Sequence, residues 1–269
     1  MNDTAVDLAR ANVYRYLGVA CLPPDEPRFE LLSDDRFRPL VSAAINWMRE
    51  DPRFHPQRLG PGELHPCRLD STSLFPDGEN PGKAYLDAFG HSISKDCPPY
   101  ENEYCANRDI TFRCQRLADI AGFYRAFGLG RSAEARERLD HLSFEAEFMQ
   151  ILIARQLHAI EAELGESCAE VCRRAQRRFF IEHLGWWLPA FGLQLGARAP
   201  SPLYAGLARL VRALAAAERA VFQLSPFTEL PAARPDTYKP EGDGFGCGLD
   251  GDGGCMPVAE SVFSADPGR

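Results

Sequence analysis

Apolar side chains recur at a spacing of three and four through most of this chain, and no run alternates apolar and polar residues long enough to make a strand. The expected fold class is therefore all-α: a single multi-helix bundle with a long loop and an irregular C-terminal tail. Val6, Val13, Tyr14, Leu17 and Cys21 share one helix face. A capping-box pattern at Thr4 and Asp7 opens that helix, and Pro23 and Pro24 stop it. Leu40, Val41, Ala44, Ile45, Trp47 and Met48 mark a second helix. From Asp51 to Gly78 prolines recur without a sustained period, which reads as an irregular loop. Asn80 before Pro81 then starts a helix over Lys83–His91.

Thr111 begins the clearest helical pattern, with Phe112, Leu117, Ile120, Ala121, Tyr124 and Phe127 on one side and Gly128 suited to its C-terminal cap. A long helix follows over Leu142–Leu164. Ser167 and Glu170 form a second capping-box pattern, for a helix running to about Leu184, and Pro189 bends or breaks the chain beyond it. Ser201-Pro202 opens the last helix, which carries Leu203, Leu207, Leu210, Val211 and Leu214. Pro and Gly supply fourteen of the forty-five residues from Ser225 onward. These observations divide the chain into a helical domain over 1–224 and an acidic Gly/Pro-rich tail over 225–269, expected to be flexible and without a core of its own.

Charge and composition exclude several functions. With 45% apolar and 10% aromatic residues the chain can bury a substantial core. The net charge is −8, of which the tail holds −5. No run of Lys and Arg suits nucleic acid, and an acidic body favours cationic partners instead. The N-terminus lacks a cationic segment followed by an apolar core, so no signal peptide is expected. LGWWLPAFGLQL, the most apolar stretch, is too short to span a bilayer, and stable membrane insertion is not expected. Nine cysteines in no regular framework fit a reducing compartment, so the expected location is cytoplasmic.

The motifs of catalysis are missing. None of the six histidines has a Glu three residues before it, as a di-iron bundle requires, and there is no His-Glu-x-x-His, Gly-x-Ser-x-Gly or Cys-x-x-Cys. Gly82-Lys83 lacks the upstream glycine of a phosphate loop. Gly246, Gly248 and Gly251 have dinucleotide-fingerprint spacing but neither strand nor helix around them. Asp250 and Asp252 begin a calcium-loop pattern that fails at Cys255 and Ser261. No catalytic residue, cofactor or metal is expected. The alternative reading is a metal- or iron–sulfur-binding redox sensor that gathers Cys97, Cys105, Cys247 and Cys255; a plain packing or loop role for these thiols competes with it.

Within Cys97–Met149 stand CPPYENEYC, a helical segment ending FYRAFGLG, and RLDHLSFEAEFM. Read as residues alone, Pro98-Pro99 with its aromatics makes a rigid turn packed on a core. Asp140 makes a helix N-cap, with His141 exposed in the first turn. In this order, however, the segments resemble the TorD/DmsD family of redox-enzyme maturation chaperones. The likeness spans roughly residues 5–224 and is densest at 97–149 and 179–191.

That resemblance implies a non-enzymatic, cytoplasmic, system-specific chaperone. Such a protein binds the twin-arginine leader, the apo form, or both, of a molybdopterin oxidoreductase catalytic subunit and holds it for cofactor insertion before export or assembly. It also implies a client-peptide site at Tyr100, Glu101, Glu103, Tyr104, Asp140, His141 and Glu145. In that site the carboxylates would take guanidinium groups and the aromatics would take an apolar helix. Leu139 stands where the family usually has proline, and Glu103 where many relatives have a small residue. Phe179, Phe180, His183, Leu184, Trp187, Pro189 and Phe191 resemble the family's FF-x-x-HL-x-x-W-x-P-x-F segment and are expected in the core. Some family members exchange helices between protomers, so a homodimer is one expected form.

Overall fold

The computed structural model describes residues 3–90, 97–107, 109–131, 136–198, 201–231 and, for the backbone, 263–265. Eight α-helices make up most of these residues. In chain order they are α1 (Asp3–Ala20), α2 (Phe37–Glu50), α3 (Pro81–Phe89), α4 (Ile110–Ala126), α5 (Leu142–Glu161), α6 (Glu166–Phe179), α7 (Gly185–Arg198) and α8 (Pro202–Val221). The all-α architecture is the expected one. Helix α1 packs between α5 and α2, α5 also meets α6, and α7 lies along α8. Val13, Tyr14, Leu17, Phe148, Leu152, Phe179, Trp187, Leu207 and Leu214 are wholly buried where these helices meet. At the α7–α8 contact a Cβ on Gly192 would stand 2.5 Å from Arg212 Cγ and 2.6 Å from Val211 Cγ2, so only glycine allows this approach.

Several local readings hold. Asn80 caps α3 by accepting the Lys83 N–H at 3.0 Å, and Ser201 caps α8 by accepting that of Tyr204 at 3.3 Å. Gly128 closes α4 with φ +66°. The loop over 51–78 is not featureless, because it coils into short 3-10 turns at Pro52–Phe54, Pro66–Arg68 and Ser71–Leu74. These bury Phe54, Leu69 and Leu74 against the bundle. A three-residue strand, β1 (Leu129–Arg131), pairs antiparallel with β2 (Phe263–Ala265). Such a ladder is too short for a period of two to register in sequence.

Other readings are corrected. Asp7 is no capping-box residue: it binds Arg10 at 2.9 Å and Gln156 at 2.7 Å inside the bundle. Glu170 pairs with Arg173 at 2.6 Å, and Gly165 occupies the α6 N-cap position. Pro189 does not break its helix. A π turn over Phe180–Leu184 precedes it, and α7 runs on through the proline. Proline removes one helical bond and crowds the carbonyl four residues earlier, and the widened turn takes up an extra residue just upstream. Along α4 only Ile120 and Tyr124 are buried, whereas Ile110 and Phe112 are 55% and 39% exposed. One side of α4 therefore lies outside the core.

No helix among the described residues is long and apolar enough to cross a membrane. Most of the tail, residues 232–262 and 266–269, lies outside the described residues, so the expected flexibility of 225–269 belongs to the sequence reading alone.

Candidate functional site

The site grows from two extended segments laced side by side. Tyr100 and His141 form an antiparallel bridge; the Glu101 N–H donates to the Asp140 carbonyl at 3.0 Å, and the Leu142 N–H to the Pro99 carbonyl at 2.9 Å. Proline at 98 and 99 favours this extended entry. A 3-10 turn over Glu101–Glu103 then points three polar side chains back toward α4 and the start of α5. All seven residues named from the sequence come together here, which the sequence implied only through the resemblance.

Their setting differs from the expectation. None of the seven is more than 5% exposed. Asp140 Oδ1 and Oδ2 accept from Arg138 Nε and Nη2 at 2.9 and 3.0 Å, and Oδ2 also accepts the Asn102 N–H at 3.1 Å. Glu103 Oε1 takes Arg113 at 3.0 Å and both terminal nitrogens of Arg138 at 3.1 and 3.2 Å. Glu101 pairs with Arg116, accepts the Trp186 indole N–H at 3.2 Å, and meets His183 Nδ1 at 3.1 Å. Carboxylates taken from water need a partner, and this chain's own arginines provide it. The acids thus do not stand open for a client. The part that reaches solvent is the guanidinium set, with Arg113, Arg116 and Arg138 side chains 23%, 22% and 34% exposed.

The aromatic residues are engaged as well. The Tyr100 hydroxyl donates to Glu137, and its ring meets the His141 imidazole edge-on at 4.8 Å. Arg138 lies 4.4 Å above the Tyr100 ring, a cation–π contact. Tyr104 donates to Gln194 at 3.0 Å and packs on Trp187 at 5.2 Å.

His141, not Asp140, caps α5. Its Nδ1 accepts the Ser143 N–H at 3.2 Å, and the ring is buried rather than exposed. Burial pushes His141 and His183 each down to about 4, so both are neutral at pH 7. Glu145 shows the opposite response. Burial first and the Asp140 charge second hold its carboxyl well above the usual range, and Trp187 and Arg116 offset only part of this. Both Glu145 oxygens are buried without a hydrogen-bond partner. Burial thus favours the protonated form of Glu145, the opposite of a counter-charge.

Sequence reasoning missed the three arginines. Arg138 stands two residues before Asp140, and Arg113 and Arg116 lie one turn apart on α4. Those spacings were the available signal, although only the fold shows that they converge. Phe179, Phe180, His183, Leu184, Trp187, Pro189 and Phe191 are buried, as expected for core. Of the proposed metal-binding cysteines, Cys97 Sγ lies 3.5 Å from the Ala88 carbonyl and Cys105 Sγ 3.8 Å from Asn102 Oδ1. Cys247 and Cys255 lie outside the described residues. Among the described residues no group of three His, Cys, Asp or Glu could hold a metal.

Comparison with known proteins fits this arrangement. The model of a family described as nitrate reductase delta subunit matches residues 82–192, a span that holds all seven residues named from the sequence and the three arginines. A perchlorate reductase assembly chaperone protein of Dechloromonas aromatica (strain RCB) is 28% identical over 235 residues, covering 84% of this chain and 98% of that protein. The chain is thus similar to a reductase assembly chaperone over most of its length, in keeping with its resemblance to the TorD/DmsD family. A selenate reductase assembly chaperone protein of Thauera selenatis is similar over less of the chain, 37% identical across 91 residues, or 34% of this chain and 46% of that protein. The span matched by the family model takes in the laced segments and the aromatic helices behind them.

Proposed function

We propose that the protein is a non-catalytic maturation chaperone for a molybdopterin oxidoreductase subunit. It receives the subunit's twin-arginine leader, its apo form, or both, in the cytoplasm, and holds it until cofactor insertion is complete. The observation that carries this reading is the convergence of Tyr100, Glu103 and Asp140 into one acidic, aromatic-faced constellation that binds a guanidinium group. The relatives, assembly chaperones of a perchlorate reductase and of a selenate reductase, support it.

The chemistry matches the client class. Paired arginines require carboxylates and aromatic faces, and the apolar stretch that follows them requires an apolar surface. Ile110 and Phe112, exposed on α4 beside Arg113, offer part of that surface. Ordering a flexible leader offsets several kcal/mol of contact energy, so affinity of roughly micromolar order is expected. The test is affinity capture of the tagged full chain from its host, followed by titration with the captured subunit's leader. A molybdopterin subunit bound through that leader is the expected result. Capture of no such subunit, from cells that express one, overturns the proposal.

A further inference from the structure

We propose that Arg138 is an exchangeable self-ligand: its guanidinium occupies the receptor for a client arginine and is displaced when that arginine arrives. This rests on the reading that the constellation receives a client, and it adds how the site is kept when empty of one.

The receptor around Arg138 is built for a planar fork. Asp140 takes it side-on with two hydrogen bonds, at 2.9 and 3.0 Å; Glu103 takes both terminal nitrogens; and the Tyr100 ring stacks beneath at 4.4 Å. A lysine ammonium satisfies neither the paired carboxylate contact nor the stacking so well. A second arrangement of the same kind holds Arg116, which pairs with Glu101, donates to the Glu182 carbonyl at 3.0 Å, and lies 5.2 Å from the Trp186 ring. The two are joined through the backbone, because Glu101 donates its N–H to the carbonyl of Asp140. Two guanidinium receptors on adjoining segments suit a pair of arginines.

Placement makes Arg138 the one that can leave. It sits on the non-helical residues just before α5, whereas Arg113 and Arg116 are fixed on a helix. Its side chain is 34% exposed, while those of Asp140 and Glu103 are 0% and 4% exposed. The acids form the floor and the Arg138 side chain the outer surface, so an incoming cation approaches from the face Arg138 already covers. Energetics favour exchange over an open cleft. Emptying the receptor would leave the buried Asp140 without its cation and Glu103 with Arg113 but without Arg138, an unfavourable state. Swapping one guanidinium for another conserves both charge and hydrogen bonds. The resident arginine thereby solves the stability problem of a buried acidic site, and as a competitor it reduces client affinity.

The full-length Arg138→Gly variant tests this with ethylguanidinium, and with ethylammonium as control, both at millimolar concentration. Its Tm is expected to fall below wild type and to recover saturably with ethylguanidinium but not with ethylammonium. Its affinity for a synthetic peptide carrying Arg-Arg before an apolar helix is expected to rise about tenfold over wild type, with no gain for the Lys-Lys peptide. No recovery, equal recovery with both cations, or weaker Arg-Arg binding would overturn the exchange. Should the glycine variant not fold, Arg138→Lys keeps a cation in place and is expected to bind the Arg-Arg peptide more tightly; unchanged or weaker binding overturns the proposal. Peptide binding by wild type without guanidinium rescue rejects the exchange and leaves the chaperone reading intact. Rescue without peptide binding by any variant rejects the leader reading and keeps the guanidinium receptor.

Discussion

Two arginines in this molecule make nearly the same bonds in opposite surroundings. Arg10 forks onto Glu218 at 2.7 and 2.8 Å and reaches Asp7 at 2.9 Å, while Arg138 forks onto Asp140 and reaches Glu103. Arg10, however, is only 1% exposed and its partners sit on packed helices α1 and α8. Gln156 and Gln176 extend its network into α5 and α6 through two hydrogen bonds of 2.7 Å. Arg138 occupies a loop and meets solvent. The bond list alone does not separate a structural ion cluster from a binding site; burial of the cation and rigidity of its backbone do.

Acid should break the two regions apart most strongly. His141 and His183 have folded pKa values lowered to about 4, below the unfolded value of about 6.5. The unfolded chain therefore binds more protons in that window. Their contribution to stability is full above the unfolded pKa and is lost as pH falls from about 6.5 toward 4, amounting to several kcal/mol. Burial raises the Asp7 pKa, so acid imposes no such penalty beside Arg10. Hydrogen exchange at pH 4.5 is expected to show lost protection at 99–104 and 139–145 before α1 and α8; simultaneous loss would remove the distinction.

Arg10→Met comes next. It leaves Asp7 and Glu218 buried without their cation, and a loss of about 3–5 kcal/mol is expected in urea unfolding. Arg138→Lys should cost only about 1 kcal/mol in the same assay, since the charge is retained at a partly solvated rim. Equal losses for these two variants would mean that Arg138 is as structural as Arg10.

Glu145→Gln should change stability least near pH 5, by less than about 1 kcal/mol, because the amide resembles the protonated acid that burial favours. The sign follows from its raised pKa: the wild-type contribution is full below the unfolded carboxylate pKa and falls as pH rises. The Tm of the variant relative to wild type is therefore expected to climb from pH 5 to pH 8. A flat difference would show that Glu145 is ionised in the folded protein.

Much of the scaffold was legible in the residues. Local periodicity placed α2, α5 and α8 because one apolar stripe per helix is a property of the segment itself. Asn80, Ser201 and Gly128 announced helix ends for equally local reasons. The outer face of α4 was misjudged, since Phe112 and Tyr124 look alike in a pattern although only Tyr124 meets α5 through Phe148. Thr4 and Asp7 misled in a related way. A capping box and a buried acid share one spelling, and Arg10, Gln156 and Glu218 decide between them.

The sequence by itself determined the helices, their order, and the presence of an acid- and aromatic-rich pair of segments, because each depends on neighbours a few residues away. Tertiary structure decided which cations those acids hold. Arg138 meets Glu103 across thirty-five residues and Arg116 meets Glu101 across fifteen, distances along the chain at which charge leaves no periodic trace. Only folding sets how far each pair stands apart and how much water is left between them, and these two quantities fix the strength of an ion pair.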